Sequence, residues 1–184
     1  MNKGINASTG DILFFLNADD CLYDKNVIKD IINEFDKTKT DFLYGNLIAV
    51  YPEKNQEKLQ KSDIVDKLFW MNQCICHQVI FYKSDLFKKF GYYDENYKIA
   101  ADYDFNLKVI VKNKCKTHYF GRVISKFTMG GYGQSNKVRY DKEQEEIAVK
   151  YFGILKFKFK KFIFKQCRSI LKNKSLRKII NLFL

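Results

Sequence analysis

The stretch from Asp11 to Asp20, DILFFLNADD, constrains the chain more than any other. A short, continuously apolar run of this kind is what a buried parallel strand shows. The run stops abruptly at Asn17, and two adjacent carboxylates, Asp19 and Asp20, stand at its carboxyl end. Like charges side by side are costly unless something between or beyond them is positive, so their placement needs a reason.

The segments that follow alternate in period. KNVIKDIINEFDK places Val27, Ile28, Ile31, Ile32 and Phe35 at helical spacing, and DFLYGNLIAVY returns to strand character broken at Gly45. Ser62 is predicted to cap a helix through Asp63, Ile64, Val65, Leu68 and Phe69. HQVIFY then reads as a strand and SDLFKKFG as a short helix stopped by Gly91. A further helix is predicted from near Asp102 through Leu107 to Val111. THYFGRVISKFTM reads as two short strands about Gly121, and a last helix starts near Tyr140. Alternating α and β elements without an internal repeat predict an α/β sheet fold, and 184 residues suffice for one domain with a substantial core. Phe69 and Trp70 are expected in that core.

The net charge of +12 is local. Residues 147–184 carry eleven Lys and Arg and no Asp or Glu, which leaves 22 basic against 21 acidic residues in 1–146. The division predicts a nearly neutral domain, 1–146, and a basic tail, 147–184. The tail interleaves its cations with Phe157, Phe159, Phe162, Phe164, Ile170, Leu171, Ile179, Ile180 and Phe183. That pattern suits the surface of an anionic membrane, and equally a solvated helix packed on its own domain. With no nucleic-acid motif beside it, nucleic acid is not an expected partner. Five cysteines, Cys21, Cys74, Cys76, Cys115 and Cys167, are odd in number and irregular in spacing, with no CxxC pair and no signal peptide. The expectation is a reduced, cytoplasmic protein.

In open α/β sheets ligands sit beyond the carboxyl ends of strands, where Asp19 and Asp20 fall. Hard oxygen ligands suit Mg²⁺ or Mn²⁺, ions that take one or two carboxylates and keep the rest of their shell for water and phosphate. Asn17, Asp19 and Asp20 equally suit a turn that caps the next helix, and spacing alone leaves both open.

NKGINASTGDILFFLNADD, then HQVIFYKSDLFKKFGYYDENYKIAADYDFNLKV, then FTMGGYGQS, in this order, resemble the family 2 glycosyltransferases of the GT-A fold over roughly residues 2–136. The resemblance implies a Rossmann-like three-layer sandwich and inverting, metal-dependent transfer from a nucleotide-diphosphate sugar, a UDP-sugar foremost. The acceptor it implies is a saccharide or lipid-linked one in cell-surface polysaccharide synthesis. NADD stands where the family has its metal motif. That makes Asp19 and Asp20 the metal pair, Asp19 the principal ligand and Asp20 its supporting neighbour, while Asn17 keeps a hydrogen-bonding role toward the nucleotide. AADYD would carry the catalytic base at Asp102, with Asp104 structural. A helix cap is the alternative for Asp102. His77 and Gln78 match a pair along the donor and acceptor pocket, although a His opening an apolar strand also suits plain structure. GGYGQS resembles the loop that closes over the donor diphosphate, with Gly130, Gly131 and Ser135 as its binding positions. Similar proteins reach NKGINASTGD only after two βαβ-like units that bind the nucleotide. The resemblance therefore implies a partial GT-A fold, and the basic tail adds the expectation of a peripheral place at the inner face of the membrane. Its alternative is a non-catalytic remnant or a membrane-associated binding module.

Overall fold

The computed structural model of the protein describes residues 1–63, 65–166 and 174–183. Along it run α1 (Asn2–Ala7), β1 (Ile12–Phe14), β2 (Cys21–Leu22), α2 (Val27–Thr38), β3 (Phe42–Tyr51), β4 (Gln56–Gln60), α3 (Lys67–Trp70), β5 (Ile80–Lys83), α4 (Asp85–Phe90) and α5 (Ala101–Leu107). β6 (Thr117–Thr128), α6 (Tyr132–Ser135), α7 (Lys137–Phe152), α8 (Ile154–Gln166) and α9 (Lys174–Phe183) complete the order. The result is the expected mixed α/β fold around one sheet, with strand order β1-β5-β3-β6-β2 and β4 paired to β3.

β3 is the centre of this sheet. It runs parallel to β6 and antiparallel to β4 and β5, and Phe42, Leu43 and Ala49 are fully buried. Gly45 is the residue this arrangement demands, since a Cβ there would meet the carbonyl oxygen of Arg122 at 2.6 Å and Ile124 Cγ1 at 2.7 Å. At the same place the β3–β6 register shifts between Tyr44 and Leu47. Asn46 fills the irregularity. Its amide donates to the Gly121 carbonyl (3.0 Å), and its Oδ1 accepts from Tyr119 Oη (2.8 Å) and the Ser62 amide (3.1 Å). A buried irregularity stays stable only if its freed backbone groups find partners, and Asn46 supplies them.

Three expectations are corrected here. The Ile12–Leu16 run is not a parallel strand. β1 lies at the sheet edge antiparallel to β5, only Leu13 of its three residues is buried, and Phe14 stacks on its cross-strand partner Phe81 at 4.2 Å between ring centres. Its partner runs the opposite way, which periodicity cannot reveal. Second, residues 117–128 form one strand, because the bulge opposite Gly45 absorbs Gly121 without ending the pairing. Third, the α3 helix begins at Lys67, capped by Asp66, whose carboxylate accepts from the Phe69 amide. The Ser62 amide is held by Asn46 instead, and Ile64 lies outside the described residues.

The core beneath α5 is aromatic. Phe87 and Phe105 stack at 4.4 Å, and Phe15, Tyr82 and Tyr93 pack around them at 5.3–6.1 Å. Such rings add attraction beyond the area they bury and resist sliding. Trp70 is in the core as expected, with Phe69 half-buried against it. α7 buries Glu143, Ile147 and Ala148 on one face and is continuous across residue 146.

After Gly153, whose φ of +83° only glycine adopts readily, α8 turns back onto α7. Phe157 is buried there, and Lys161 pairs with Glu145 at 2.8 Å. α9 docks on α3 through Asn181, which bonds the Leu68 amide and Asp66. Leu155, Phe162 and Leu182 are exposed. Cys167, Arg168, Ile170, Leu171 and Lys172 lie outside the described residues. Among the described residues no helix is long and apolar enough to cross a membrane.

Candidate active site

Asp102 sits in the first turn of α5, and the structure holds that turn from below and from the side. The aromatic core carries Phe105, while Tyr103 donates its hydroxyl to the Trp70 carbonyl. From α7, Glu143 accepts the backbone amides of Lys98 (3.1 Å), Ile99 (2.9 Å) and Ala100 (3.0 Å), and Arg139 Nε completes the set at 2.9 Å. Burial alone pushes the Glu143 carboxyl up. The amides of Ala100, Ile99 and Lys98 together with Arg139 overcome it and hold it at about 2. This carboxylate anchors the loop that delivers Asp102, and no motif in the sequence marks it; its signal is a lone acid facing inward on an otherwise polar helix.

Asp102 itself is divided between two partners. Oδ1 accepts the Tyr103 amide at 2.8 Å, and Oδ2 lies 3.3 Å from His77 Nδ1. The cap expected as its alternative role is not what it forms, since the residue preceding the helix is Ala100. Asp104, two residues on, is buried and paired to Lys150 at 2.7 Å, a structural role as expected.

Asp102 and His77 open into a cavity of about 590 Å³ that Asn17, Gln78 and Gly131 also line. That size suits a small-molecule ligand. Cys74 and Cys76 line it too. Burial pushes the Cys76 thiol up to about 12 and the Cys74 thiol well above its usual range, so neither supplies a thiolate nucleophile near neutral pH. Tyr140, Lys137, Lys98 and Gln60 complete much of the lining; no pattern in the sequence singles them out.

The two adjacent carboxylates differ sharply. Asp20 is buried and fully engaged, its Oδ2 accepting from Gln78 Nε2 (2.9 Å) and its Oδ1 from the Thr128 amide (3.0 Å). Gln78 is buried in turn and takes Ser125 Oγ on its carbonyl at 2.7 Å. Thr128 Oγ1 closes the knot on the Asp19 carbonyl at 2.9 Å. The Asp19 carboxylate is exposed, with no hydrogen-bond partner among the described residues. Among these residues no three His, Cys, Asp or Glu gather as a metal cage. The donors present fit a hard divalent ion held by Asp19 and completed by phosphate and water, the coordination such ions prefer.

The glycine loop follows β6 directly. Gly130 has φ +113°, which requires glycine, and Gly131 precedes α6. Ser135 turns away from the cavity. Its hydroxyl donates to the Gly131 carbonyl at 3.4 Å, and it lines a neighbouring groove of about 920 Å³ beside Asp94, Tyr97 and Arg139. The structure thus brings Asn17, His77, Gln78, Asp102 and Gly131 to one cavity, ties Asp20 to it through Gln78, and leaves Asp19, Gly130 and Ser135 outside its lining.

Comparison with known proteins places the chain in a family. The sequence profile described as Glycosyl transferase family 2 matches residues 1–106. Proteins called PGL/p-HBAD biosynthesis glycosyltransferase from Mycobacterium bovis and Mycobacterium tuberculosis are 33% identical over 146 residues, covering 78% of this chain and 54% of theirs. The chain therefore spans about half the length of the curated relatives it matches. Among solved structures, S. aureus TarS 1-349 superposes with a TM-score of 0.58 at 16% identity, covering 94% of this chain and 53% of that one. The same protein in complex with UDP gives 0.53 at 15% identity, with 94% and 54% covered. These likenesses establish the fold as GT-A-like, and the profile and relatives establish the lineage: the chain belongs to glycosyl transferase family 2.

Proposed function

We propose that this chain carries the acceptor side and the metal-holding turn of an inverting glycosyltransferase. In this reading a sugar passes from a nucleotide-diphosphate donor, a UDP-sugar, to a saccharide or lipid-linked acceptor of the cell surface. The observation that carries it is the position of Asp102, a carboxylate on a rigidly held helix start that opens into a ligand-sized cavity. Inversion needs one base opposite the leaving group. The acceptor hydroxyl gives its proton to the Asp102 carboxylate as its oxygen bonds the anomeric carbon, and the bond from that carbon to the diphosphate breaks with its electron pair going to the phosphate. Asp19 would hold Mg²⁺ or Mn²⁺, which when bound supplies positive charge to the diphosphate. Asn17 lines the cavity and offers an amide donor to the donor or acceptor, Gln78 holds Asp20 in place behind it, and Gly130 and Gly131 give a backbone able to approach phosphate closely.

The UDP complex of TarS and the naming of the relatives for PGL/p-HBAD biosynthesis favour this donor class and a lipid-linked acceptor. Exposed Lys156, Lys158 and Lys178 on the helices that carry exposed Leu155, Phe162 and Leu182 favour attachment to the inner face of an anionic membrane, each cation adding about 1 kcal/mol near the lipid. Thermal protection by UDP with Mn²⁺ tests the reading. Protection in the wild type that Asp19→Ala abolishes, followed by a product of inverted anomeric configuration by NMR, is the expected result. Absence of any protection by UDP overturns it and favours the non-catalytic binding module.

A further inference from the structure

We propose that His77 is a positioning residue for Asp102, held as the neutral Nδ1–H tautomer that donates to Asp102 Oδ2. The inference deepens the proposed function and rests on Asp102 being its base. His77 Nδ1 and Asp102 Oδ2 are 3.3 Å apart, and both side chains are mostly buried, at 19% and 17% exposure. The other ring nitrogen decides the tautomer. His77 Nε2 is buried with no hydrogen-bond partner among the described residues. A proton on Nε2 would bury an unsatisfied donor and set the Nδ1 lone pair against a carboxylate oxygen. A proton on Nδ1 satisfies the carboxylate and leaves only an unshared acceptor. Of the two neutral tautomers only the Nδ1–H form avoids both penalties.

The consequence for Asp102 is directional. Its Oδ1 is fixed by the Tyr103 amide and its Oδ2 by His77, so the carboxylate plane is locked and the remaining lone pairs are offered to the cavity. A base within reach of an acceptor hydroxyl acts efficiently only if its orientation is set beforehand. The chain has two histidines, and the second provides an internal reference, because His118 meets Glu34 through Nε2 at 2.9 Å. The two rings are thus assigned opposite tautomers.

The test is a long-range ¹H–¹⁵N correlation spectrum of the ¹⁵N-labelled full chain above neutral pH, which needs no substrate. Expected is an Nδ1–H pattern for His77 and an Nε2–H pattern for His118, with only the His77 pattern lost in Asp102→Ala. An Nε2–H pattern for His77, or one that Asp102→Ala leaves unchanged, overturns the inference. In turnover with a UDP-sugar, His77→Ala lowers kcat about 10- to 100-fold with little change in donor KM. His77→Asn, which returns a donor near the position of Nδ1, recovers most of it. A His77→Ala variant as fast as the wild type overturns the positioning role even if the tautomer is as assigned. Failure of the wild-type chain to transfer any sugar overturns the proposed function instead, and the spectrum still decides whether the pair exists.

Discussion

The cavity around Asp102 and the carboxylate turn beside it are built on different principles. On the Asp102 side the backbone leading into α5 is tied down, by Glu143 across three amides and by an aromatic core below. On the Asp19 side the turn is knotted from behind by Asp20, Gln78 and Thr128, while the Asp19 carboxylate in front is exposed. A group that must meet one oxygen at one angle gains from being fixed. Groups that must gather a charged, variable ligand gain from being free until it arrives. The contrast teaches that adjacent acidic residues in one motif can hold unlike jobs, one internal and one external.

The largest effect separates chemistry from scaffold. Asp102→Asn should lower kcat about 10²- to 10⁴-fold while leaving UDP protection intact, measured as turnover beside a thermal shift with UDP and Mn²⁺. Loss of UDP protection in that variant would mean that the base side also shapes the donor site, and the division of labour between Asp102 and the Asp19 turn would fall.

Next comes the anchor beneath the base. Glu143→Gln removes the charge that three amides and Arg139 share, and should destabilise the fold by about 2–4 kcal/mol, a Tm fall of about 5–15 °C. The pH dependence has a definite sign. Glu143 is held at about 2 in the fold against an ordinary value near 4.5. Its contribution is therefore full above that ordinary value and is lost as pH falls toward 2. Urea midpoints between pH 5 and pH 2 should fall more steeply in the wild type than in Glu143→Gln. Equal slopes would show that Glu143 does not hold the loop as a carboxylate.

Gly45→Ala probes the sheet on which the carboxylate turn is knotted. The new Cβ would collide with the Arg122 carbonyl, which cannot move without shifting β6, so a loss of about 1–3 kcal/mol is expected by urea unfolding. A neutral result would mean that the bulge around Gly121 yields freely and that β6 is not the fixed frame from which Thr128 reaches Asp20.

What can be read from the residues follows the range of the interactions that fix them. The α2 helix, the β3 and β5 strands and the helix carrying Asp102 are legible because local periodicity and glycine stops specify them. The direction of β1 is not, because a three-residue apolar strand has no period that tells parallel from antiparallel. The long β6 strand reads as two because a glycine looks like a break until a partner's bulge is known to receive it. Likewise the carboxylates at Asp19 and Asp20 stand out by position at a strand end, yet which of them faces solvent depends on Gln78 and Thr128, 58 and 108 residues away from Asp20. The role of Glu143 is hidden for the same reason, as the three amides it holds lie more than 40 residues before it.

The smallest effect sharpens the comparison most. Without ligand, Asp20→Ala should cost about 1–3 kcal/mol, because it strands the Thr128 amide and the buried Gln78 side chain. Asp19→Ala should change stability by less than about 0.5 kcal/mol, since its exposed carboxylate has no hydrogen-bond partner among the described residues and its backbone carbonyl, which holds Thr128, survives the substitution. Paired urea melts of the two variants read the difference directly. If Asp19→Ala unfolds as early as Asp20→Ala, the Asp19 carboxylate has a structural partner, and the front of the turn is tied down as firmly as its back. If it matches the wild type yet loses protection by UDP and Mn²⁺, then the position costs the fold nothing, and its negative charge is explained by what binds there.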